Sequence, residues 1–247
     1  MYRRFTWRIL SNYVTPWEFE QLKSEITDYE QWCAAWSQHA ARHVERGDAA
    51  LAAGRRLTAG DAYLRGALAY HWASFVFTHD QAQFRAALEA MGAAWAKAAP
   101  LVAPPMQPLA VPFEGLVLPG YLRVPDQASR PPVVLLLPGA DSAKEELYNL
   151  ADHIVARGLA VAAFDGPGQG LLSFESKLRA DQEVAIQAII DALAGRPDVD
   201  GSRLAVGGIS YGGMFAIRTA AADEGCGRCS RSPAGTPRRD GLRRWTA

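Results

Sequence analysis

The chain has 247 residues, 49% of them hydrophobic, with 26 Lys and Arg balanced by 26 Asp and Glu. This length and composition predict a globular protein with a substantial core, arranged as one large domain or two modest ones. A net charge of zero offers no bulk attraction to a polyanion or an acidic bilayer, which argues against nucleic-acid and membrane partners.

The amino terminus, MYRRFTWRILSNYV, is basic, but Arg8 interrupts its apolar run before a secretory hydrophobic segment can form. No later stretch approaches the length of a membrane span, so the expectation is a soluble, cytoplasmic chain. Cys33 stands alone, and Cys226 and Cys229 form a single CxxC without a second ligand pair. Neither a disulfide framework nor a zinc or redox site is expected from them.

From Thr15 to about Arg46 the residues Phe19, Leu22, Ile26, Tyr29, Trp32 and Trp36 recur at steps of three and four, the period of one helix face. Thr15 reads as the cap, Pro16 as the first helical residue and Glu18 as the far half of a capping box. A second helix is predicted after Thr58, and a third carries Phe84, Leu88, Met91 and Trp95. Residues 1–99 therefore read as a helical, cap-like domain that holds six of the seven tryptophans. Its aromatic stripes fit a core; the expectation of a site between the two halves adds an aromatic surface for a small acyl or aryl substrate. His39 and His43 stand four apart, yet no general base lies between them as in HExxH, so they read as a solvated helix face and no metal is expected.

The stretch PLVAPPMQPLAVP, residues 100–112, reads as a linker, because proline removes amide donors and discourages helix on either side. Beyond it, short apolar runs alternate with helical stretches near Ala143 to Arg157 and Lys177 to Leu193. This alternation predicts an α/β domain over residues 113–224 with a largely parallel sheet.

Within that domain, Gly208-Ile209-Ser210-Tyr211-Gly212 matches G-x-S-x-G between a predicted strand, Arg203 to Gly207, and a predicted helix. The motif needs a sharp strand-to-helix turn, in which the serine takes a strained backbone conformation and the flanking residues must be small. Ser210 is the candidate nucleophile, Gly208 and Gly212 are the elbow glycines, and the Tyr211 amide is the first candidate oxyanion donor. The second donor in such sites follows an earlier strand. Val133 to Leu137 is followed by Pro138-Gly139-Ala140, which makes the Ala140 amide the candidate, with an ordinary turn capped by Gly139 as the competing reading. FDGPGQG fails the dinucleotide fingerprint, since Leu171 stands where the third glycine belongs, and reads as a structural turn.

GISYGG, LLLPGADSAKEE and AFDGPGQG, in this order behind a tryptophan-rich helical prefix, resemble the α/β-hydrolase superfamily. More narrowly, the chain is similar, from about residue 5 to 224, to the group containing 2,6-dihydroxypseudooxynicotine hydrolase and the esterases called fermentation-respiration switch proteins. The resemblance implies a serine hydrolase without metal or organic cofactor, acting on a C–C bond of a ketone or on an ester. A carboxylesterase or peptidase-like acyl hydrolase, and a non-catalytic binding module on the same fold, are the competing readings; a homo-oligomer stays open.

The family's chain order is Ser, then Asp or Glu, then His. Here the five histidines, at positions 39, 43, 71, 79 and 153, all precede Ser210, and only Asp223, Glu224 and Asp240 follow it. The expectation is an incomplete hydrolase sheet and a catalytically incomplete chain. Residues 225–247 carry six arginines and no apolar run. Read one frame over with G- or C-ending codons, the start of this tail spells Val-Arg-Ala-Val-Leu-Ala, a strand-like string, so a shifted reading frame is the expectation here. A natural arginine-rich tail is the alternative.

Overall fold

The structure, a computed structural model, describes residues 2–126 and 129–222; the arginine-rich tail and its CxxC lie outside the described residues. The chain divides into two units, one of residues 1–107 with 141–149, the other of residues 108–140 with 150–247. Among the described residues no helix is long and apolar enough to cross a membrane.

The first unit contains α1 (Tyr2–Leu10), α2 (Pro16–Glu25), α3 (Trp32–Ala52), α4 (Arg56–Ser74) and α5 (Gln81–Ala98). Thr15 caps α2 in a reciprocal box, with Oγ1 accepting from the Glu18 amide and the Glu18 carboxylate accepting from the Thr15 amide. The single helix expected from Thr15 to Arg46 is instead broken after Glu25, where Ile26 turns extended. The break has a local cause. Gln31 Oε1 accepts from the amides of Thr27 (2.9 Å) and Asp28 (3.2 Å), offering the backbone a partner that competes with helix. The second helix also begins earlier than expected, at Arg56, which places Thr58 inside its first turn rather than at its cap.

Trp32, Trp36, Trp72, Phe75 and Phe77 fill the core of this unit, and Trp32 Nε1 donates to the Trp72 carbonyl at 2.7 Å, fastening α3 to α4. Trp7 and Trp17 are exceptions to the aromatic-core expectation, at 82% and 68% exposure. The expectation of a solvated His39–His43 face is also corrected. His43 is buried, and both rings turn toward the Glu18 carboxylate, because α2 lies against α3.

The second unit is built on β1 (Gln107–Phe113), β2 (Leu116–Arg123), β3 (Pro132–Leu137), β4 (Ala160–Phe164) and β5 (Asp200–Gly208), in the order β1-β2-β4-β3-β5. β3 runs parallel to β4 and β5, whereas β2 is antiparallel to β4, so the sheet is mixed. The stretch expected as a linker to residue 112 enters this sheet from Gln107 on. Pro108 and Pro112 are tolerated because β1 is an edge strand, where a missing amide need not cost a ladder bond.

Three helices complete the unit: α6 (Tyr148–Val155), α7 (Gln182–Ala194) and α8 (Tyr211–Ala222). α7 starts later than Lys177, since Gln182 Oε1 accepts from the Arg179 amide and holds the preceding residues in a turn. Every residue of β4 is buried, as expected for a strand covered on both faces. Leu135, Ala162 and Phe164 pack in one core with Ile186 and Ile189 of α7 and Phe215 of α8.

Candidate active site

β3 and β5 run in parallel with Leu137 in register with Gly208. That register brings the loop after β3 and the turn after β5 to the same end of the sheet, the carboxyl end where open α/β sheets bind ligands.

At this end Ser210 has φ 55°, a left-handed conformation that costs a non-glycine residue free energy and persists only where its surroundings impose it. The surroundings do. A Cβ on Gly208 would sit 2.6 Å from the Leu137 oxygen and from the Gly212 carbonyl carbon. One on Gly212 would collide with the Leu137 carbonyl and lie 2.6 Å from the Pro138 oxygen. These neighbours are backbone atoms that cannot rotate away. The Ile209 amide donates to the Leu137 oxygen at 3.2 Å, closing the turn onto β3. The side chain at 210 is exposed, directly before the first turn of α8, whose initial amides have no partner within the helix.

Tyr211 is held from two sides. Its hydroxyl donates to the Arg179 carbonyl at 2.9 Å, and its ring meets Phe215 edge-on at 4.5 Å. Arg179 is itself paired with Asp181 and Glu114, and these hydrogen bonds raise its pKa further above the ordinary range. The Tyr211 amide is thus fixed at the helix start, where the macrodipole favours a developing negative charge.

The loop expected to supply the second donor is pinned by a residue that sequence reasoning passed over. Gln169 is buried, and its Nε2 donates to the carbonyls of Pro138 (3.1 Å) and Gly139 (2.9 Å), while its Oε1 accepts from the Gly166 amide (2.9 Å). In a trans peptide the C=O and N–H point in opposite directions. Holding the Gly139 carbonyl on Gln169 therefore turns the Ala140 amide away from Gln169, on an exposed residue. The FDGPGQG segment expected to be a structural turn is one, and its glutamine also orients the loop after β3. No sequence period marks such a residue; only its place directly after β4 does.

Directly after Ala140 the chain enters the first unit. There Glu146 is buried against Arg8 (Nε to Oε1, 2.5 Å) and His71 (Nε2 to Oε2, 3.2 Å), and it also accepts from the Ser142 hydroxyl. Burial alone pushes a carboxyl's pKa up, but His71 and Arg8 outweigh it and hold Glu146 well below its ordinary value. Arg8 also pairs with Asp141 at 3.2 Å. The ADSAKEE stretch is thereby anchored to Arg8 and His71 by two of its own side chains, Asp141 and Glu146.

Comparison with known proteins agrees with this fold. The family model described as Esterase FrsA-like matches residues 21–226. The α/β-hydrolase pydG of an Acremonium species is 40% identical over 219 residues, covering 82% of this chain and 51% of its own length. The 2,6-dihydropseudooxynicotine hydrolase of Paenarthrobacter nicotinovorans is 30% identical over 198 residues, covering 80% and 53%. The crystal structure of 2,6-dihydroxy-pseudo-oxynicotine hydrolase superposes with a TM-score of 0.79 at 28% identity, over 88% of this chain and 62% of that one. The chain spans about half the length of the curated relatives it matches.

Proposed function

Because the chain belongs to the Esterase FrsA-like family of α/β-hydrolases, we propose that Ser210 is a hydrolytic nucleophile and that the amides of Tyr211 and Ala140 bind the oxyanion of its tetrahedral intermediate. The observation that carries this reading is the φ of 55° at Ser210, imposed by glycines wedged against the β3 carbonyl end. A strained serine at a helix start presents its oxygen where unpaired amides can meet the charge that attack creates.

In the proposed reaction the Ser210 oxygen adds to a substrate carbonyl, and the electron pair of the C=O bond moves to the oxygen facing the two amides. Collapse expels the leaving group, which takes the proton first removed from the serine, and water then releases the acyl group. That proton needs a carrier. In this fold the carrier is a histidine placed after the nucleophile in the chain, and none of the five histidines here follows Ser210. The 247-residue polypeptide alone is therefore proposed to turn over slowly.

The substrate is proposed to be a small molecule carrying an ester or an aryl or acyl ketone, without a metal or organic cofactor in the reaction. The name of the Paenarthrobacter relative, a hydrolase of 2,6-dihydropseudooxynicotine, supports this class. The test uses a form in which reading past Glu224 supplies an acid and a histidine. Treated with a serine-directed fluorophosphonate, it should carry the adduct on Ser210. Labelling elsewhere, or equal turnover in Ser210→Ala, would overturn the assignment, and no labelling at all would favour a binding module.

A further inference from the structure

We propose that Glu18, His39 and His43 form a divalent-cation site, best suited to Zn²⁺, that cross-braces α2 and α3 within the helical unit. The three donor atoms converge. His43 Nε2 lies 3.1 Å from Glu18 Oε1, His39 Nε2 lies 3.8 Å from the same oxygen, and the two ring nitrogens are 3.2 Å apart. A triangle with those sides has a circumradius of about 2.0 Å, the length of a Zn–N or Zn–O bond, and tetrahedral zinc spaces its ligands by about 3.3 Å.

One proton cannot serve all three atoms of this triangle. A neutral imidazole nitrogen either donates or accepts. If His39 Nε2 donates to His43 Nε2, the latter faces Glu18 with a lone pair against a carboxylate. If His43 Nε2 donates to Glu18, no hydrogen lies between the rings unless His39 brings one to a nitrogen that is already protonated. A cation at the centre takes a lone pair from all three.

The surroundings orient Glu18 as a ligand shell requires. Glu18 Oε2 accepts from both the amide (2.8 Å) and the hydroxyl (2.7 Å) of Thr15, which leaves Oε1 for the histidines. His39 and His43 stand one turn apart on α3, with Trp36 packed edge-on against His39. Side-chain exposures of 11%, 12% and 6% for Glu18, His39 and His43 shelter the site, and a tetrahedral zinc held by these three would take its fourth ligand from water. Two imidazoles and one carboxylate favour zinc and its neighbours over the all-oxygen shells of Mg²⁺ and Ca²⁺.

The full chain, stripped with a chelator and carrying Cys226→Ser and Cys229→Ser to remove the competing thiols, is titrated with Co²⁺ and then Zn²⁺. One Co²⁺ per chain should bind with the intense visible bands of a tetrahedral ion, and Zn²⁺ should displace it. His39→Gln and Glu18→Gln should each weaken binding at least 100-fold while far-UV circular dichroism stays unchanged. Since Glu18 also belongs to the α2 cap, the partly exposed His39→Gln is the deciding variant if Glu18→Gln unfolds. A folded chain that takes up no Co²⁺, or that binds it equally well as His39→Gln, overturns the proposal.

Discussion

The Ile209 amide donates to the Leu137 carbonyl at 3.2 Å, and a Cβ on Gly212 would run into that same oxygen. One backbone group therefore closes the elbow and forbids a side chain in it. Gly212→Ala and Gly208→Ala should each cost about 1–3 kcal/mol in overpacking. Gly92 is the control. It lies inside α5 with nothing within 4 Å of its would-be Cβ, so Gly92→Ala should stabilise by about 1 kcal/mol. Urea midpoints at constant slope measure all three, and equal effects at 92 and 212 would contradict the packing account.

Gln169 makes two hydrogen bonds to the loop after β3 and one within the loop after β4. Gln169→Leu keeps much of the volume and leaves two carbonyls and an amide unpartnered in a buried place. The expected loss is about 1–3 kcal/mol. In a catalytically complete form kcat should fall more than KM rises, because a loosened Gly139–Ala140 peptide would weaken the intermediate more than the substrate. A purely structural Gln169 would lower stability and leave kcat per folded molecule unchanged.

What the sequence made legible is what local pattern encodes. The Thr15–Glu18 box, the apolar run of β3 and the glycines around Ser210 each advertise a structure within a few residues of themselves. The break at Ile26 was hidden, because the apolar period runs on through Tyr29 and Trp32 while the Gln31 side chain, not the period, takes the amides. β1 was hidden by its prolines, which speak against strand except at an edge, and edges are decided by the whole sheet. Burial of His43 depends on where α2 lies against α3, and anchoring of Glu146 joins residues 138 positions apart. No short window contains either fact.

Acid should loosen the helical unit. Glu146 and Glu18 both have pKa values lowered from 4.5 in the folded chain, Glu18 to about 2. For Glu18, burial works in the opposite direction and is outweighed by hydrogen bonds from His43 and Thr15. Carboxyls lowered in this way add stability that is complete above their unfolded pKa and lost as pH falls through the folded one. Urea unfolding followed by tryptophan fluorescence, which reports mainly the helical unit, should thus shift to lower midpoints from about pH 5 downward. Glu146→Gln should cost about 3 kcal/mol at neutral pH, since it leaves Arg8 and His71 without their shared buried partner. It should also flatten the acid limb. An acid limb as steep as in the parent chain would show that Glu146 is not the group that titrates.

Among the described residues β5 pairs on one side only, with β3, although it carries the elbow and belongs to a strongly apolar sheet. The outer side of a strand at the end of a sheet is a template that another chain can match. The 247-residue polypeptide should therefore self-associate, and Ala205→Lys, which puts a charge on an exposed position of β5, should reduce that association. Its hydrolysis of a p-nitrophenyl ester should be very slow. In a protease with a complete triad, removing the histidine alone costs about a millionfold in kcat. Light scattering and turnover are compared with those of a form read on past Glu224 to supply an acid, a histidine and a strand to cover β5. If the 247-residue chain is monomeric and as active as the extended form, both the open edge and the need for a histidine after Ser210 are refuted.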